Sequence, residues 1–153
     1  MKTRLLSLSV AVFVLYTLSW AQTVVTTEDE LVAAVLTDGA NIQFGNDITV
    51  AKHVTIEKAV TIDLNGHTMR GNDAALPTAG DFKCLFITAP EGNLTLRNGM
   101  LADSDNRGAE RHNSSIGRAH SAGAIVNKGT ATLEDITITN CHGIEGGAIR
   151  NSW

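Results

Sequence analysis

Ala122-Gly123-Ala124-Ile125-Val126-Asn127 returns as Gly146-Gly147-Ala148-Ile149-Arg150-Asn151, a small-small-Ala-Ile-x-Asn pattern repeated after 24 residues. A period of that size predicts stacked units, each burying its apolar face against the next. Gly123, Ile125 and Asn127 are the first set of repeat positions, and Gly147, Ile149 and Asn151 the second. The second copy stops at Trp153, before the counterpart of Gly129-Thr130-Ala131-Thr132-Leu133, so the domain is expected to be incomplete at its C-terminus. The small residues suit tight corners, and Asn127 and Asn151 are expected either to stack as an amide ladder or to serve as independent turn residues.

Outward from the repeat, the chain is patterned for short strands. Ile42 and Phe44, Ile48 and Val50, Val54 and Ile56, then Val60, Ile62 and Leu64 alternate with polar residues, and the chain turns roughly every six residues. Phe82 to Thr88, Leu94 to Leu96, and Thr132-Leu133 with Ile136 to Ile138 continue the style, with Arg97-Asn98 and Glu134-Asp135 in matching corner positions. Asn65-Gly66 has hairpin chemistry, but the nearly polar flank from His67 to Arg70 favours a bend over a hairpin. A 24-residue unit at about 3.3 Å per residue has a contour near 80 Å, sufficient for three short strands and their corners. The predicted fold is an all-β, right-handed parallel β-helix, a solenoid. Six-residue spacing also suits a left-handed hexapeptide solenoid, but that register is lost after Leu64.

The N-terminal part divides in two. Lys2 and Arg4 precede an apolar run from Leu5 to Trp20, and Ser19-Trp20-Ala21 has the form of a cleavage site, so residues 1–21 read as a signal peptide. The run is short for a spanning helix and interrupted by Ser7, Ser9 and Thr17, and no later segment could span a membrane. Residues 22–153 are then one secreted or surface-exposed domain. Thr27-Glu28-Asp29-Glu30 forms a capping box ahead of Leu31, Val32, Val35 and Leu36, which predicts a short amphipathic helix from Thr27 to Leu36 capping the open end of the stack.

Composition excludes some partners. Lys2 and Arg4 leave with the signal, so 12 basic residues become 10 against 16 acidic ones, which disfavours nucleic acid. Phe44, Phe82 and Phe86 sit in apolar runs, leaving Trp153 alone to offer an aromatic face to a sugar. His53, His67, His112, His120 and His142 lack metal-ligand spacing, and neither a metal nor any other cofactor is expected. Cys84 and Cys141 are expected either to form a disulfide in an exported chain or to remain two buried thiols.

Ala122 to Leu133, Ile138-Thr139-Asn140 and Gly146-Gly147-Ala148-Ile149 together resemble the right-handed parallel β-helix repeats of polymorphic outer-membrane and autotransporter passenger proteins. The likeness covers residues 121–153. Ile138-Thr139-Asn140 stands where those repeats carry Phe-x-x-Asn, and Ala122 replaces the first Gly. The resemblance implies a secreted or cell-surface scaffold of adhesin type without catalytic activity of its own, with an extracellular partner such as a polysaccharide or a host cell surface.

Residues 102–120 lack an apolar pattern and are expected to form a projecting loop, with Asp103, Asp105, Arg107 and Arg111 as candidate binding residues. Asp103-x-Asp105 begins like a calcium loop, but Arg107 and Ser114 stand where oxygen ligands belong, which rejects an EF-hand. The fold class also resembles pectin-lyase-like polysaccharide lyases and glycoside hydrolases. There acids bind calcium and an Arg acts as base, which makes the N-terminal part of such an enzyme the alternative reading. Asn93-Leu94-Thr95 and Asn113-Ser114-Ser115 are glycosylation sequons at Asn93 and Asn113.

Overall fold

The computed structural model describes residues 22–71, 84–105, 122–143 and 147–152. The signal segment lies outside them, as do Phe82, Arg107, Arg111, Asn113, Gly146 and Trp153. No helix among the described residues is long and apolar enough to cross a membrane.

The chain runs β1 (Thr23–Val25), α1 (Glu28–Ala34), β2 (Ala40–Phe44), β3 (Ile48–Val50), β4 (Val54–Ile56), β5 (Ala59–Asp63), β6 (Thr68–Gly71), β7 (Phe86–Thr88), β8 (Asn93–Asp105), β9 (Ile125–Asn127), β10 (Thr130–His142) and β11 (Ile149–Asn151). Every strand pair is parallel. One sheet has the order β1-β2-β5-β8-β6-β3 with β10 also on β8, and the other has β11-β9-β7-β4.

These findings correct the expected right-handed β-helix. The described strands lie in two parallel sheets with one short helix, and no closed solenoid is present among them. β5 and β6 both pair with the 13-residue β8, so segments expected on separate faces of a coil belong to one sheet. In a coil around a single core each strand keeps one face in solvent, whereas β7 is buried at all three residues. Phe86 and Ile125 enter the main core, while Ile87 and Val126 form a second buried cluster with Cys84 and Ala122. Apolar period reports that segments stack in parallel; it does not report whether they close around an axis.

The alternating runs do supply the core. Ile42, Phe44, Ile48, Val50, Val54, Ile56, Val60, Ile62, Leu64, Leu94 and Leu96 are all buried in one cluster. β6 emerges from the stretch whose polarity suggested only a bend, with Met69 fully buried beside half-buried Arg70. Asn65 and Gly66 both take positive φ, but β5 and β6 do not pair with each other. Instead Leu64 and Gly66 donate their backbone N–H groups to Arg97 O and Asn98 O at 2.8 and 2.7 Å. Asn98 and Asp135 repeat the left-handed backbone of Asn65, and Asp103 and Asn140 share it farther along β8 and β10.

At α1 the Thr27 hydroxyl accepts from Glu30 N at 3.2 Å, while Glu30 reaches Thr26, accepting from its N at 2.6 Å and its hydroxyl at 2.9 Å. Half of the capping box forms as expected, and the other half shifts back one residue. Leu31 and Val35 are buried against the sheets, whereas Val32 and Leu36 are exposed. The helix ends at Ala34, so Leu36 falls beyond it.

Candidate functional site

A hydrogen-bonded row of polar side chains crosses the larger sheet. It begins at Asp47, just before β3, passes His67 and Arg70 at β6 and Asp103 on β8, and ends at Asn140 and His142 on β10. The Asp47 carboxylate accepts from Thr68 N at 2.9 Å, with His67 Nδ1 at 3.5 Å and Arg70 Nη2 at 3.7 Å. Arg70 Nη1 donates to Asp103 Oδ2 at 2.8 Å. Asn140 Nδ2 donates to Asp103 Oδ1 at 2.8 Å, and His142 Nε2 lies 3.0 Å from Asn140 Oδ1.

Strand register builds this row. Arg70 lies opposite Thr49 on β3 and Ala102 on β8, and Ala102 lies opposite Thr139 on β10. Asp103 and Asn140 both sit at left-handed positions between paired residues, which re-aims their side chains toward one another. The row spans three inter-strand spacings, about 14 Å.

Its electrostatics favour fixed charge. The Thr68 N–H, then Arg70 and His67, hold the Asp47 carboxyl below its usual range. Asn140 and then Arg70 do the same for Asp103. Arg70 thus stands between two carboxylates whose charged forms it favours. The row therefore presents acceptors at Asp47 and Asp103 alternating with donors at Arg70 and Asn140, and all remain partly exposed to solvent. Such alternation is chemically suited to hydroxyl groups, because each hydroxyl both donates and accepts.

Asp103 and Asp105 were expected in a projecting loop, and the structure corrects this: both belong to β8. Asp105 lies opposite His142 in the register. Of the expected binding residues, Asp103 joins the row through Arg70 and Asn140, while Arg107 and Arg111 lie outside the described residues. Of the two alternatives for the cysteines, the structure holds the unbridged one. Both cysteines are free thiols, Cys84 buried and Cys141 half-buried with its Sγ 3.3 Å from Thr139 O. Burial pushes the Cys84 thiol up to about 12. Among the described residues no group of three or more His, Cys, Asp or Glu is placed to hold a metal.

The repeat positions sit where β9 meets β11. Ile125 lies opposite Ile149, and Asn127 Nδ2 donates to Asn151 Oδ1 at 3.1 Å. A Cβ on Gly123 would meet Gly147 O at 2.4 Å, whereas one on Gly147 would meet nothing nearer than 3.8 Å. Asn93 is exposed at the start of β8.

Asp47, His67, Arg70, Asn140 and His142 were not identified from sequence. They lie up to 95 residues apart, at turns and strand ends, and only the strand register brings them together. The signal they do carry is local: Asp47 and Asn140 are turn-forming types next to apolar alternation, the usual mark of a bend. Compared with known proteins, the chain matches no family model, no curated protein and no solved structure.

Proposed function

We propose that the protein is a secreted or surface-exposed binding scaffold of adhesion type, which recognises an extracellular polysaccharide through the polar row. The observation that carries this reading is the unbroken chain of contacts from Asp47 through Arg70 and Asp103 to Asn140 and His142. Its members are pre-positioned by one another, which lowers the ordering cost of binding. Export rests on the charged-then-apolar pattern of residues 1–21. The likeness of the Gly-Gly-Ala-Ile segments to passenger repeats supports placement at a cell surface.

Binding to a panel of neutral and acidic polysaccharides tests this reading. Saturable binding to at least one is expected, weakened about tenfold or more by Arg70→Ala, which removes the central donor and the cation shared by two carboxylates. Binding that Arg70→Ala leaves unchanged rejects the row as the recognition surface.

One observation favours a second reading, a polysaccharide lyase or glycoside hydrolase: Arg70 stands between two carboxylates on a partly exposed sheet face. Proton transfer needs a group that titrates near the working pH, and the hydrogen bonds from Thr68 N and Asn140, with Arg70 beside them, hold both carboxyls below their ordinary range. Binding is therefore preferred. Unsaturated products released from polyuronates, measured with and without calcium and abolished by Arg70→Ala, would reverse that preference.

A further inference from the structure

A second feature lies at the β1 edge of the larger sheet. A cavity of about 590 Å³ opens between α1, β1 and the start of β2. Val24, Ala33, Ala34 and Ala40 give it an apolar lining, and Glu30 and Asp38 contribute acidic groups. Among the described residues no Lys, Arg or His lines it. Asn41 also lines it, and its Oδ1 is enclosed without a hydrogen-bond partner.

Two further observations mark this end as a place of contact. β1 is the edge of its sheet and pairs only with β2 among the described residues, leaving its other edge open. Val24, Val32 and Leu36 are 57 %, 43 % and 68 % exposed, and all three lie on or beside β1 and α1. A short open edge beside an apolar groove is the geometry in which extended peptides add as an extra strand.

We propose that this cavity is a docking groove for an extended, basic and aliphatic peptide segment of another protein. The segment adds to the free edge of β1, lays a β-branched side chain on Val24, Ala33 and Ala34, and sets a Lys or Arg against Glu30 and Asp38. Acidic groups with no basic residue beside them in the described lining select a cationic partner, and the apolar lining selects one with aliphatic side chains rather than a free polyamine. The groove acts independently of the polar row.

The test uses the full chain and a fluorescein-labelled peptide, Lys-Val-Thr-Val-Lys, followed by anisotropy, with a norleucine-for-lysine peptide as control. Saturable binding of the lysine peptide is expected, weakened about two- to fivefold by Asp38→Asn, with the norleucine peptide indifferent to that change. Ala33→Trp, which fills the groove, weakens both peptides by about tenfold or more, while Arg70→Ala affects neither. Absence of saturable binding overturns the proposal, as does undiminished binding to an Ala33→Trp variant with native circular dichroism. If Ala33→Trp fails to fold, Asp38→Asn decides: an equal effect on the two peptides overturns it. Sedimentation showing an oligomer that Ala33→Trp dissociates would assign the groove to a second copy of the chain and overturn the peptide assignment.

Discussion

At the scale of single residues, sequence-equivalent positions need not be structurally equivalent. Gly123 and Gly147 occupy the same place in the repeated pattern, but only Gly123 has backbone within 3 Å of the space a Cβ would take. Its neighbours there are Gly147 O, His142 N and Cys141 C, which cannot swing aside as a flexible side chain would. Gly123→Ala is therefore expected to destabilise the fold by about 1–3 kcal/mol, as overpacking does, while Gly147→Ala has little effect. Urea midpoints of the two variants measured side by side check this, and equal effects would refute the packing argument. The repeat identified both glycines; which of them is packed against depends on the strand that lies beyond each.

At the scale of elements, short runs of alternating apolar residues were legible because burial acts on them locally. Ile42 with Phe44 and Val54 with Ile56 each place two side chains on one face, and each pair is buried. β6 was not legible, since its strand identity comes from pairing with β3 and β8 rather than from its own alternation. The helix was legible through Thr27 and the acidic first turn, although its apolar face proved half as wide as the spacing suggested. Because the Thr27 hydroxyl satisfies Glu30 N, Thr27→Ala should cost about 1 kcal/mol, and Thr27→Asp should retain most of the cap. Thermal denaturation of the three proteins distinguishes the cap from a general effect of substitution.

At the scale of the whole molecule, the sequence implied stacked, parallel strands but did not carry the arrangement in which they stack. Two sheets, with β7 buried on both faces, follow from contacts between segments remote in sequence, about which apolar period is silent. The candidate site shares that limit: Asp47 and Asp103 become partners of one arginine only through register. This has a global consequence for pH. Both carboxyls titrate below their ordinary range in the folded protein, so their stabilising contribution is complete above the unfolded value near pH 4. It is lost as pH falls through the depressed folded values. Urea midpoints between pH 6 and pH 2 should therefore fall on the acid side, and Asp47→Asn with Asp103→Asn should flatten that fall. An unchanged slope in the double variant would show that other carboxyls govern acid unfolding.

The bend residues have a further consequence, one of chemical ageing. Asn65-Gly66 and Asn98-Gly99 are sequences in which an asparagine amide is readily lost, by attack of the following backbone nitrogen on the side chain. In the folded chain Gly66 N is engaged with Asn98 O, and the Asn98 amide is engaged with both oxygens of Asp63 at 3.2 and 3.3 Å. The fold thus shelters the bonds its turns make vulnerable. Were Asn98 to lose its amide, a new carboxylate would stand against Asp63, turning an attraction into a repulsion at the bend where β5 and β8 meet. Unfolded or long-stored chains would accumulate that lesion and refold less well, so the turns record how long a molecule has spent outside its native state.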